Sequence, residues 1–180
     1  DCHFNEVKNF LHASSADIIG LQEVKENDPG RDVIGYLKSL GYQYAFAPAR
    51  EIWDDQTYIY GPAIFSKYPL LQIKIYNLSE VNTRTAIKAN IKIKDTVLSV
   101  FSTHLIHTHQ QPSELQESQV NSLIKILPSE RTILMGDLNA TPESGAVKRV
   151  SEILVDTDPT STPTWSIYRE GCTVCRLEEV

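Results

Sequence analysis

Cysteine is scarce: three residues in 180, Cys2, Cys172 and Cys175, an odd number that gives no disulfide framework. Cys172 and Cys175 form a Cys-x-x-Cys pair, but a zinc site of that type needs two further ligands. No second cysteine pair exists, so the motif reads as incidental or locally bridged. A surplus of positive charge is also missing, with 17 Lys and Arg against 23 Asp and Glu and a net charge of −6. There is thus no broad basic field to draw in nucleic acid by counterion release. That absence does not exclude a nuclease, because a bound divalent cation reverses the field at an acidic site. No run approaches the roughly 18 apolar residues of a membrane span. The opening residues Asp1 to Asn9 lack the basic start and apolar middle of a signal peptide. Repeats and low-complexity tracts are absent. The chain opens without Met on a helix-like segment, so its natural beginning is expected to lie upstream and its compartment is not legible. Nothing indicates an oligomer.

What is present is a 41% hydrophobic chain, long enough to bury one sizeable core, and a single domain over 1–180 is expected. Phe4, Val7, Phe10 and Leu11 have the three-and-four spacing of one helix face. Asp17 to Gln22 is an apolar run of strand length that ends at Glu23. A second helix fits Arg31 to Leu40, closed by Gly41 in a left-handed cap. Strand-like runs follow over Tyr42–Phe46, Tyr58–Ser66, Leu71–Tyr76, Thr85–Ile93 and Thr96–His104, separated by turns at Pro69, Asn77 and Lys94-Asp95. Val97 to Phe101 is almost continuously apolar, which predicts cover on both faces. A helix from Pro112 to Leu127 is expected to bury Leu115, Val120, Leu123, Ile124 and Leu127. A buried strand, Thr132 to Met135, runs into Gly136-Asp137-Leu138-Asn139, and Asp156 to Trp165 reads as a loop. Strands outnumber helices and helices interrupt them, which suggests packed sheets with helices outside.

The sharpest chemical signal is Gly136-Asp137-Leu138-Asn139. If the chain stays extended there, Asp137 and Asn139 point to one side and Leu138 into the core, while Gly136 lets a ligand approach the backbone. The competing reading is a plain turn, since Gly, Asp and Asn are turn residues. Glu23, at a strand tip, is either a solvated charge or a ligand; magnesium takes only one or two carboxylates, keeping waters and binding substrate phosphate. His104 closes an apolar strand, either as a satisfied structural group or as a group that bonds a phosphate oxygen or moves a proton. His107 and His109 read as solvated or rim residues. Arg84 is either an ordinary exposed arginine or a bidentate clamp on phosphate. Trp165 either packs or stacks on a substrate ring.

Four segments in order carry a resemblance. Ala16-Asp17-Ile18-Ile19-Gly20-Leu21-Gln22-Glu23, Tyr60-Gly61-Pro62-Ala63-Ile64-Phe65-Ser66-Lys67-Tyr68-Pro69, Thr103-His104-Leu105 and Gly136-Asp137-Leu138-Asn139 together resemble the endonuclease/exonuclease/phosphatase family, the DNase I-like group. The resemblance implies an α/β fold, a four-layer sandwich of two packed mixed β-sheets flanked by helices, with its site at strand ends. It implies a magnesium-dependent hydrolase of phosphoester bonds, with Mn2+ as a substitute ion, acting by in-line attack of water. In those terms Glu23 is the metal ligand and Gln22 its supporting neighbour. Asp137 orients or deprotonates water, Asn139 positions phosphate, His104 stabilises charge on the phosphoryl oxygens, and Arg84 holds the same group.

Two family features are not found: an initial strand carrying an Asn near the metal, and a closing Asp-His pair. The chain as given is therefore expected to hydrolyse poorly or not at all beside a version extended at both ends. The substrate is left open among small-molecule phosphoesters, lipid head groups and nucleic acid. The Thr-His-Leu form is less like the family's apurinic-site endonucleases than its DNase I-like nucleases, sphingomyelinases, inositol-phosphate phosphatases and deadenylases. Net negative charge mildly favours small or lipid phosphoesters over duplex DNA. Alternatives are a DNase I-like endonuclease or exonuclease, and a non-catalytic scaffold of the same fold.

Overall fold

Alternation along the strands sorts apolar side chains onto two faces, and the fold follows from covering both. The computed structural model describes residues 3–53, 56–80, 83–108 and 113–157, with the backbone alone at 51–53 and 56. Its elements, in order, are α1 (Phe4–Ser14), β1 (Ile18–Val24), α2 (Val33–Ser39), β2 (Gln43–Phe46), β3 (Ala49–Trp53), β4 (Gln56–Ser66), β5 (Leu70–Asn77), β6 (Thr85–Ile93), β7 (Thr96–His104), α3 (Glu114–Ile124), β8 (Thr132–Asp137) and α4 (Gly145–Ser151).

In the first sheet the order is β1-β4-β2, and β3 pairs with the other half of β4, every pairing antiparallel. In the second the order is β5-β6-β7-β8, antiparallel until β7 meets β8 in parallel. Three buried layers result. On the outer face of the first sheet, Leu11 of α1 and Ile34 and Leu37 of α2 cover Ile19, Ala63 and Phe65. Between the sheets lie Ala45, Ala47, Ile64, Ile87, Ala89, Ile91 and Val100. Beyond the second sheet, Val120 and Leu123 of α3 and Ala146 of α4 cover Ala86 and Phe101. The expected four-layer α/β sandwich is therefore present, helices outside and sheets within.

The middle layer is thin. Three of its seven buried residues are alanines, and a methyl group at Gly20 of β1 would come 2.7 Å from Met135 Cβ of β8. Real carbon atoms do not pack that closely, so Gly20 is what lets the sheets meet at this point.

Several sequence expectations need correction. Of the apolar residues on α1, only Leu11 is buried; Phe10 is 73% exposed because the helix touches the first sheet through its last turns. The strand from Thr132 is not buried: β8 pairs only with β7 among the described residues, and Ile133 is 39% exposed. Cover on β7 is graded, from an exposed Val97 to a buried Val100–His104, because helices and the first sheet reach only its C-terminal half. On α3 the buried side comprises Gln116, Gln119, Val120 and Leu123, with Leu127 just beyond it, while Leu115 and Ile124 are only partly covered. The second helix begins two residues later than expected, capped by Asp32, whose side chain accepts from Gly35 N, and Gly41 at φ +89° ends it as anticipated. Strand β3 and helix α4 were not foreseen. Trp165, the three cysteines and most of the Asp156–Trp165 loop lie outside the described residues.

Candidate functional site

Which ends of the two sheets coincide can be traced through contacts. Val24, closing β1, is opposite Gly61 of β4. Gly61 packs on the Ala47 carbonyl so closely that a side chain there would overlap it. The Thr85 hydroxyl donates to that same carbonyl at 3.5 Å, crossing to the second sheet, and Thr103 Oγ1 donates to Thr85 O at 3.1 Å. Thr103 is beside Gly136, and His104 beside Asp137. The C-terminal ends of β1, β7 and β8 therefore share one end of the sandwich, and Glu23, His104 and Asp137 are all there.

The sheets are joined by polar contacts just beneath that end. Ser102 Oγ, on the inner face of β7, donates to Leu21 O at 3.4 Å and accepts from Gln22 Nε2 at 3.4 Å. Gln22 thus spans from the first sheet to the second, immediately before Glu23. Glu23 is exposed and has φ +55°, at a register shift between Leu21 and Val24. A bulge of this kind breaks strict alternation and turns the strand's last residues to new directions.

On the second sheet His104 is buried, and Nη1 of Arg84 lies 3.1 Å from its Nδ1. A guanidinium can only donate, so Nδ1 accepts and the ring proton sits on Nε2. This fixes His104 as a neutral hydrogen-bond donor at Nε2. Arg84 stands just before β6, where its carbonyl accepts from Leu78 N.

The Asp137–Asn139 segment forms a turn. Asn139 has φ +49°, and its N–H donates to Asp137 Oδ1 at 2.7 Å, the geometry of an Asx turn. The extended path is thereby corrected: the turn, not alternation, places Asp137 and Asn139 beside each other. Asn139 Nδ2 donates to Leu105 O at 2.9 Å, and Leu105 N donates to Asp137 O at 2.9 Å, so this turn is laced to the residue after His104. Gly136 serves a different purpose from the one expected. Its φ is +152°, and a methyl there would overlap Thr103 O, so glycine allows close backbone contact between β7 and β8 rather than ligand approach.

Sequence reasoning missed Ser102 and two glutamines of α3. Gln116 and Gln119 fall in phase with Val120 and Leu123, and polar side chains at that spacing were the available signal. A cavity of about 650 Å³ opens beyond Asn139, lined in part by Gln116, Glu117, Asn121, Thr141 and Ser144. It touches neither Glu23, His104 nor Asp137, so it adjoins the strand-end cluster and is not its centre.

The donor set suits a hard divalent cation. Glu23 and Asp137 are exposed carboxylates at one end of the sandwich, and among the described residues no three His, Cys, Asp or Glu are grouped so as to hold a metal ion. A hard divalent cation of the magnesium kind takes one or two such carboxylates, retaining waters and binding substrate phosphate.

The molecule is thus an α/β sandwich with acidic, imidazole and amide groups at one end of its strands. The chain belongs to the Endonuclease/Exonuclease/phosphatase family, whose pattern it matches over residues 1–177. No curated protein sequence matches it significantly. Among solved structures it is similar to the human Nocturnin catalytic domain with bound sulfate anion, at 21% identity and TM-score 0.72, covering 83% of this chain and 60% of that one. It is also similar to ANGEL2, a 2',3'-cyclic phosphatase, at 22% identity and TM-score 0.64, covering 83% and 45%. A third is D. rerio TDP2 complexed with single-strand DNA product, at 18% identity and TM-score 0.56, covering 85% and 59%. These likenesses establish the fold, and the chain spans less than two thirds of each of these three structures.

Proposed function

We propose that this chain carries the reacting end of a metal-dependent hydrolase of phosphoester bonds. The observation that carries the reading is that Glu23, from one sheet, and the adjacent pair His104 and Asp137, from the other, lie at the same end of the sandwich. Glu23, with Gln22 behind it, is assigned to hold Mg2+, for which Mn2+ can substitute; the ion, when bound, neutralises charge developing on the phosphoryl oxygens.

The roles of the other groups follow from their hydrogen bonds. His104, neutral with its proton on Nε2, donates to a phosphoryl oxygen and does not abstract a proton, because Nδ1 is engaged by Arg84. Arg84 keeps that tautomer and contributes positive charge beside it. Asp137 is the carboxylate available to orient the attacking water or accept its proton. Its Oδ1 is fixed by Asn139 N, which sets the direction of the remaining oxygen. Asn139 uses one Nδ2 hydrogen on Leu105 O and has a second for a phosphate oxygen.

Two of the similar structures favour a nucleotide-like substrate as a second, narrower reading, since one is a 2',3'-cyclic phosphatase and the other is complexed with a single-strand DNA product. The chain's net charge of −6 favours short substrates over long duplexes.

Calorimetric titration with MgCl2 and MnCl2 tests the proposal, alongside hydrolysis of a panel of phosphomonoesters and phosphodiesters. We expect divalent binding that Glu23→Ala abolishes while the fold is retained. A wild-type protein that binds neither ion, or a Glu23→Ala variant that binds as tightly, overturns the reading.

A further inference from the structure

We infer that Gln116 and Gln119 of α3 are positioning residues that lock the two site-bearing segments, 104–106 and 137–139, to one another. The inference rests on the reading of His104, Asp137 and Asn139 as the reacting groups, but its evidence is separate. Gln116 Nε2 lies 3.0 Å from Ile106 O, 3.3 Å from Leu138 O and 3.0 Å from Asn139 O. Three carbonyl oxygens around one atom fix the amide's orientation, since only the NH2 end can face them. Two hydrogens serve three acceptors, so one is shared. A single side chain therefore bonds both the segment after His104 and the turn after Asp137.

Gln119, one helical turn on, completes the lock with the opposite polarity. Its Oε1 accepts from Ile106 N at 2.9 Å. Ile106 thus has its carbonyl held by Gln116 and its amide held by Gln119. The Nε2 of Gln119 is buried with no hydrogen-bond partner among the described residues. An apolar residue would avoid that unsatisfied donor, so what glutamine supplies at this position is the acceptor.

The location explains why such a device is useful. The ladder ends at the pair His104 and Asp137, and beyond it the two chains leave the sheet, one of them carrying Asn139. Leu105 N to Asp137 O and Asn139 Nδ2 to Leu105 O join them directly. Reacting groups lose their effect when displaced by about 1 Å, so a brace outside the sheet has a direct bearing on rate. Gln116 and Gln119 touch none of the reacting atoms themselves.

The test compares Gln116→Met and Gln119→Met, which keep length and volume, with Val120→Ala, which weakens the same helix face without altering these bonds. Amide hydrogen exchange is read at Leu105, Ile106 and Asn139 under conditions where all variants are folded. Turnover of bis(4-nitrophenyl) phosphate with MgCl2 is measured beside it. Gln116→Met is expected to speed exchange at all three amides by about tenfold or more. Gln119→Met should act chiefly at Ile106, and Val120→Ala should leave all three unchanged relative to the rest of the chain. In turnover, Gln116→Met should lower kcat by about tenfold with KM unchanged.

Exchange that does not change, or that rises equally in Val120→Ala, overturns the inference, as does faster exchange with kcat intact. Failure of the functional reading has another signature: wild type without divalent binding while its three amides are well protected. The lock then stands or falls on exchange alone.

Discussion

Replacing Gly136 by alanine isolates one close contact at the head of the proposed site. In wild type Gly136 is opposite Thr103 in the parallel ladder, at φ +152°. A methyl group there overlaps the Thr103 carbonyl oxygen and comes within 3.0 Å of both the carbonyl carbon and Thr103 Cγ2. Because the obstacle is backbone, no rotamer relieves it, and β7 and β8 must separate by roughly 1 Å to reach ordinary contact distance. The φ value itself, confined almost to glycine, costs about 1–3 kcal/mol for alanine. Loss of a ladder hydrogen bond adds about 1 kcal/mol, giving a total of roughly 2–4 kcal/mol. With a urea m-value near 2 kcal/mol/M for a chain of this size, the unfolding midpoint should fall by about 1–2 M.

Gly41→Ala is the matched control. Gly41 also has positive φ, at +89°, but nothing lies within 4 Å of an added methyl group. Its cost should be the conformational term alone, about 1 kcal/mol, or roughly 0.5 M in urea. Equal midpoints for the two variants would refute the argument, because they would show that the Thr103 contact contributes nothing.

Arg84→Met should release the His104 tautomer, so that 15N chemical shifts of the ring move away from the Nε2-protonated pattern; an unchanged pattern would mean that Arg84 does not set it. Phe101→Ala, in a fully buried position, should cost about 3–5 kcal/mol, and Phe10→Ala, on the exposed side of α1, less than about 0.5 kcal/mol, both by chemical denaturation. The N-caps Ser113 and Ser144 accept from Gln116 N and Val147 N, so alanine at either should cost about 1 kcal/mol, detectable as a lower Tm; no change at both would mean these bonds are replaced by water.

The long strands were legible, because the apolar residues of Thr85–Ile93 are buried along most of the strand, while in Val97–Phe101 the cover is confined to its last two residues. It did not reveal which strands lie at an edge. Thr132–Met135 looks as apolar as a central strand, and only the sheet order shows β8 paired on one side among the described residues. β3 was missed because Ala49–Trp53 mixes Arg50 and Glu51 with apolar residues, and α4 because seven residues with two buried positions give little periodicity. The candidate site was legible as a set of residue types, but not as geometry. Asp137 and Asn139 were expected to converge by strand alternation, whereas the left-handed Asn139 brings them together. The glutamines of α3 were invisible for a related reason: a hydrophobic-face argument discards polar side chains, though here they occupy that face.

The alanine-lined seam between the sheets has a wider consequence. Glu23 is carried by one sheet while His104 and Asp137 ride on the other, so the gap they span is dictated by how thick the filling is between Ala45, Ala47 and Ala89. Valine at any of these places would work as a shim, prising the carboxylate of one slab away from the imidazole of its neighbour. The separation of the two halves of the proposed site can therefore be altered from deep inside, with every polar group left as it is.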